Sequence, residues 1–92
     1  MSDLQEVLSD ARRWLAAQPA QQEASASWYG YNNLRTFIAS LEDDPSALGL
    51  ERACQALGWH TSDQYGAYEE LPVIAEFNDR VRRIAKAMRR GG

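Results

Sequence analysis

Apolar residues recur along most of this chain at intervals of three and four residues, the period of an amphipathic α-helix. In the first segment the apolar positions are Leu4, Val7, Leu8, Ala11 and Leu15. Ser2 and Gln5 have the spacing of a capping box, in which a hydroxyl and an amide satisfy free backbone N–H groups at a helix start. Pro19 ends a helix near the preceding residue. We therefore predict a first helix over residues 2–18.

The next two segments keep this period. The second apolar stripe is Tyr31, Leu34, Phe37, Ile38 and Leu41, and the third is Leu50, Ala53, Cys54 and Leu57. The second stripe predicts a helix over residues 27–43, with a first turn that Gly30 weakens by about 1 kcal/mol relative to alanine. Asp44 and Pro45 are typical of an N-cap and a first helical position. Gly58 suits the position after a helix end, with Trp59 packing back on Cys54, so the third helix is predicted over 45–57.

The last helical pattern is the clearest. Its apolar positions are Ile74, Phe77, Val81, Ile84 and Met88, with Pro72 suited to the first turn. We predict a helix over residues 72–90 and, from the spacing of Thr61 and Gln64, a short helical turn within 61–68. No segment alternates as a half-buried strand does. The pattern predicts an all-α fold, a small compact four-helix bundle-like domain spanning residues 1–92.

Composition narrows the class of protein. Ninety-two residues, 45% of them apolar and 25% charged, are typical of one small globular domain. A single cysteine and a single histidine exclude a disulfide scaffold and the common multi-cysteine or two-histidine metal sites. No apolar run approaches the roughly 18 residues of a membrane span, and the start lacks a basic, apolar signal region. We expect a cytoplasmic protein without a membrane segment.

Charge is distributed unevenly along the chain. Residues 1–72 contain four arginines and eleven carboxylates, whereas residues 73–92 contain six basic residues and two carboxylates. A basic end on an acidic body indicates either a helix lying against its own acidic neighbours, the favoured interpretation, or a nucleic-acid contact. Spacing of four residues predicts the ion pairs Glu76–Arg80 and Asp79–Arg83. That leaves Arg82, Lys86 and Arg89 on one flank as candidate contacts to an acidic partner.

No residue pattern favours an enzyme. His60 has Asp63 nearby but no nucleophile at a diagnostic spacing. Cys54 falls on an apolar stripe, where a cysteine behaves as a small hydrophobe. The six glycines do not form a phosphate-binding loop. We therefore predict no catalytic residue, no cofactor and no metal.

Aromatic residues form two groups. Trp28, Tyr29 and Tyr31 lie together, and Tyr65 and Tyr68 follow Trp59. Because exposed Trp and Tyr side chains anchor protein interfaces, we take Trp28, Tyr29, Tyr65 and Tyr68 as candidate partner-binding residues, with core packing as the open alternative. Trp14 and Tyr29 do not fit the apolar stripes.

These observations support two functions. The first is a small non-enzymatic protein that binds another protein stoichiometrically. It would be an adaptor, an immunity-type factor, or a phage or mobile-element inhibitor of a host or defence protein, such as an anti-CRISPR. The second is a helix-turn-helix DNA-binding regulator. Residues 53–59 resemble the first helix and glycine turn of that motif, although the following helix, 62–68, would contain no Arg or Lys. A homodimer through the last helix is also open.

Overall fold

Four α-helices make up the fold in the computed structural model, which describes residues 2–20, 25–60 and 71–91. They are α1 (Asp3–Ala17), α2 (Ala26–Asp43), α3 (Ala47–His60) and α4 (Leu71–Gly91). The described ranges contain no β-strand. The predicted all-α class and the four-helix bundle-like architecture are therefore confirmed. The predicted helical turn at 61–68 lies outside the described residues.

The first two helices begin at serine caps. In α1 the Ser2 hydroxyl accepts a hydrogen bond from the Gln5 backbone N–H at 3.2 Å, and the Gln5 side chain accepts from the Ser2 N–H, which confirms the predicted capping box. Before α2 the Ser25 hydroxyl accepts from the Trp28 N–H at 3.1 Å. Helix α2 thus starts one residue before the predicted position, because the cap offsets the weak first turn at Gly30.

Helix α3 starts two residues later than predicted, because Ser46 and not Asp44 caps it. The Ser46 hydroxyl accepts from the Gly49 N–H at 3.1 Å, which is the interaction of an N-cap. Asp44 holds Ser46 in place, because its carboxylate accepts hydrogen bonds from the Ser46 hydroxyl at 2.7 Å and from the Ser46 N–H at 3.2 Å. These two hydrogen bonds, the hydroxyl first, lower the pKa of Asp44. Pro45 lies outside the helix.

The predicted end of α3 is also wrong. The helix continues through Gly58 to His60, and Trp59, which was predicted to pack back on Cys54, is 57% exposed. A glycine that ends a helix usually adopts the left-handed backbone conformation, and Gly58 does not adopt it.

One apolar core joins the four helices. Helix α4 packs mainly on α3 and also on α1, while α2 packs on α3 and α1. The fully buried large side chains are Leu34, Leu41, Leu50, Leu57, Ile74 and Val81. Each comes from a predicted apolar stripe, so the stripes of α2, α3 and α4 were identified correctly at these positions.

Two side chains depart from the predicted stripes. Trp14 packs against the core, with its ring centroid 5.6 Å from that of Tyr31 and 6.2 Å from that of Phe77, although it did not fit the stripe of α1. Met88 was predicted to lie on the apolar stripe of α4, but its side chain is 41% exposed. Near the end of this helix the buried position is Ala85. A large ring can therefore reach the core from the edge of a stripe, and a place on the stripe does not by itself bury a side chain.

Candidate functional site

A groove lies between α3 and α4. Its volume is about 580 Å³. Glu51 reaches Arg89, and Cys54 reaches Asn78 and Arg82, so the two helices run antiparallel. The charged side chains that line the groove are Arg82, Arg83, Lys86, Arg89, Glu51 and Asp79. Four cations against two carboxylates make this groove a positive region on an acidic protein.

Helical spacing places the cations together. Arg82, Lys86 and Arg89 are four and three residues apart, so they project from one flank of α4. The neighbouring residues Val81 and Ala85 are buried in the core. The basic flank beside them therefore lies at the edge of the contact between α3 and α4. The three residues selected from the sequence therefore line one groove, and their role in partner binding stays a prediction. Arg83 also lines the groove but was missed, because its spacing to Asp79 was interpreted as an ion pair.

Arg89 holds a carboxylate on the opposite wall of the groove. Its Nε and Nη2 donate to the two oxygens of Glu51, the Nη2 bond being 2.7 Å long. This is the two-point geometry that a guanidinium forms with a carboxylate. The hydrogen bond from Arg89 lowers the pKa of Glu51, and Glu51 in turn raises the pKa of Arg89. Both side chains remain partly exposed, so the pair is a surface ion pair and contributes little to stability.

Arg82 lies across α3 at Gly58, one of the two glycines of that helix. Its Nη2 donates to the Cys54 carbonyl oxygen at 3.4 Å, and a Cβ added at Gly58 would come within 3.1 Å of the same nitrogen. Gly58 thus leaves room for a guanidinium. That packing role, and not a helix stop, is what the structure shows for this glycine.

Arg83 and Lys86 are exposed and have no carboxylate within ion-pair distance among the described residues. The predicted pairs Glu76–Arg80 and Asp79–Arg83 are absent there. Arg80 instead donates to Asp10 of α1 at 3.0 Å, with its guanidinium 5.9 Å from the centre of the Phe77 ring. Pairing across helices, at Arg80 and Arg89, agrees with the interpretation that the basic helix lies against acidic neighbours. Arg83 and Lys86 nevertheless carry charges that no described carboxylate neutralises through an ion pair.

Cys54 lies at the floor of the groove and is buried, as predicted. Its thiol donates weakly to the Asn78 carbonyl oxygen at 3.7 Å. Burial raises the pKa of this thiol from its ordinary value of 9.0 to about 11, and the nearby Arg82 offsets only part of that effect. A protonated, buried thiol is a poor nucleophile.

We expect Cys54 to resist labelling by a disulfide reagent at pH 8 in the folded protein. A pKa of about 11 leaves roughly a hundredfold less thiolate than a cysteine of pKa 9.0. The measurement compares labelling rates in native buffer and in 6 M guanidinium chloride, where we expect at least that difference. Equal rates in the two conditions would show an accessible, reactive thiol.

The aromatic candidates lie elsewhere. Trp28 and Tyr29 on α2 contact each other, with ring centroids 4.9 Å apart, and Tyr29 is 54% exposed. Tyr31 is buried against Trp14. None of these rings lines the groove. Tyr65 and Tyr68 lie outside the described residues, so among the described candidates only the basic residues line the groove.

Residues 2–20, 25–60 and 71–91 contain no group of three metal-ligating side chains and no helix long and apolar enough to span a bilayer. His60 is the last residue of α3, and Asp63 lies outside the described residues.

Comparison with protein-family models, curated proteins and solved structures gave no significant match to this chain.

Proposed function

We propose that this protein acts by stoichiometric binding to another protein, and that the groove between α3 and α4 holds an acidic segment of that partner. The observation that carries the proposal is the concentration of Arg82, Arg83, Lys86 and Arg89 along one groove of a chain whose net charge is −3. A local positive groove in a negative protein attracts acidic ligands selectively, since complementary charge governs partner choice and association rate.

A carboxylate-bearing segment fits this groove better than a nucleic acid does. Arg89 already forms a two-point contact with a carboxylate, which demonstrates the geometry that such a ligand would use. A DNA duplex would extend past the groove toward a body with eleven carboxylates in residues 1–72, which repel phosphates. The high pKa of the Cys54 thiol at the groove floor also favours binding over covalent chemistry.

The helix-turn-helix alternative has less support. Helix α3 runs through Gly58, where the resemblance places the turn between two helices. The second helix of that motif would be residues 62–68, which lie outside the described residues. DNA binding is therefore treated as an outcome of the experiment.

The type of protein that this proposal describes is a cytoplasmic adaptor, immunity-type factor or inhibitor, including one encoded by a phage or mobile element. Such proteins need a surface of complementary charge and no reactive group. Dimerisation through α4 stays a prediction; it would compete with the partner if it covered the same flank.

Reversal of two groove charges tests the proposed site. The double variant R83E/K86E changes two exposed cations that have no ion-pair partner among the described residues, so the fold should be retained. We expect its affinity for fluorescein-labelled octaglutamate, measured by anisotropy at low salt, to fall about tenfold or more, because attraction becomes repulsion. Circular dichroism melting should be nearly unchanged.

The matched control is R13E/R35E, which reverses two exposed arginines outside the groove. Both variants change the net charge equally, so only a site in the groove distinguishes them. Equal weakening by the two variants would contradict the proposal, as would equal binding of labelled octalysine. Tighter binding of a labelled DNA duplex than of octaglutamate would favour the DNA-binding alternative.

A further inference from the structure

We propose that Glu51 is an internal competitor in the groove, whose carboxylate holds Arg89 until a carboxylate of the partner replaces it. This inference rests on the proposed function and adds a regulatory residue to the same site. Glu51 is on α3 and Arg89 is on α4, so their ion pair bridges the two walls of the groove. Two other groove cations, Arg83 and Lys86, have no such partner among the described residues and are available to meet the ligand first.

The geometry makes Glu51 a close chemical copy of the expected ligand. Both of its oxygens accept from Arg89, through Nε and Nη2. A glutamate or aspartate of the partner would use those same two donors, and Arg89 cannot present this edge to two carboxylates at once. Binding therefore exchanges one carboxylate for another.

Such an exchange is feasible because the pair is exposed. The side chains of Glu51 and Arg89 are both in contact with solvent, and exposed ion pairs are weak. Glu51 can move into water and be hydrated after displacement. Its remaining effects are to weaken ligand binding and to reject ligands whose carboxylates cannot reach Arg89.

The variant that tests this role is Glu51→Gln. An amide is a neutral and weaker partner for a guanidinium, so it leaves Arg89 available and removes one negative charge from the groove. We expect octaglutamate to bind about two- to fivefold more tightly than it binds the original protein, measured by the same anisotropy assay.

Two controls separate displacement from a general charge effect. Glu42→Gln removes the glutamate of another exposed interhelical pair, Arg12–Glu42, which is outside the groove. Asp79→Asn removes a carboxylate that lines the groove but does not pair with Arg89. We expect an unchanged affinity for the first variant and a smaller gain for the second than for Glu51→Gln.

The outcomes distinguish this inference from the proposed function. If the original protein binds octaglutamate and R83E/K86E does not, the groove is the site. In that case, equal affinities of the original protein and Glu51→Gln, or equal gains for Glu51→Gln and Asp79→Asn, would overturn the competitor role alone. If neither the original protein nor Glu51→Gln binds octaglutamate at low salt, both proposals fail.

Discussion

Replacement of Leu50 by alanine is expected to destabilise this protein by about 2–5 kcal/mol. Leu50 is 0% exposed, so truncation removes buried apolar surface and leaves a cavity in the apolar core. A domain of this size has a free energy of unfolding of only about 5–14 kcal/mol. The loss therefore lowers the melting temperature by roughly 10 °C or more, measured by circular dichroism.

The matched control is Leu48→Ala in the same helix. Leu48 is 48% exposed, so the same chemical change should alter the free energy of unfolding by less than about 0.5 kcal/mol. Urea unfolding of both variants gives the two values independently of heating. Similar losses of stability for the two variants would contradict the assignment of Leu50 to the buried face of α3 and of Leu48 to its exposed face.

Replacement of Gly49 by alanine should destabilise the protein by about 1–3 kcal/mol, although helix propensity alone predicts a gain of about 1 kcal/mol. A Cβ at this position would overlap the backbone oxygen of Asp44 and would lie 2.7 Å from its carboxylate Oδ2. The turn through Asp44 and Ser46 that caps α3 must then shift. Thermal and urea unfolding show directly whether Gly49→Ala lowers or raises the free energy of unfolding.

Gly91→Ala provides the comparison for this prediction. A Cβ at Gly91 meets nothing within 4 Å, so alanine should leave stability unchanged or raise it by a few tenths of a kcal/mol. If Gly49→Ala were as stable as Gly91→Ala, the cap would have to relax at little cost, and the close approach of Asp44 would not constrain the sequence.

The candidate groove was only partly predictable. The spacing of Arg82, Lys86 and Arg89 placed them on one flank, because their positions on a single helix follow from its period. Glu51 was not predicted as part of the site, since it is 38 residues from Arg89 in the chain and reaches it only through the packing of α3 on α4. Arg83 was assigned to Asp79 for a related reason. The spacing of charged residues shows which ion pairs can form within one helix. It gives no information about partners on other helices that compete for the same arginine.

Local signals determined the helices of this protein, since period, caps and proline act over a few residues. The capping box at Ser2 and the apolar stripes that contain Leu34 in α2 and Val81 in α4 needed no tertiary information. Packing decided the rest: that Gly58 makes room for Arg82, that Trp14 packs against the core, and that Arg80 pairs with Asp10. These contacts join residues distant in sequence, and their energies depend on which helix faces lie together. Only the assembled bundle settles that.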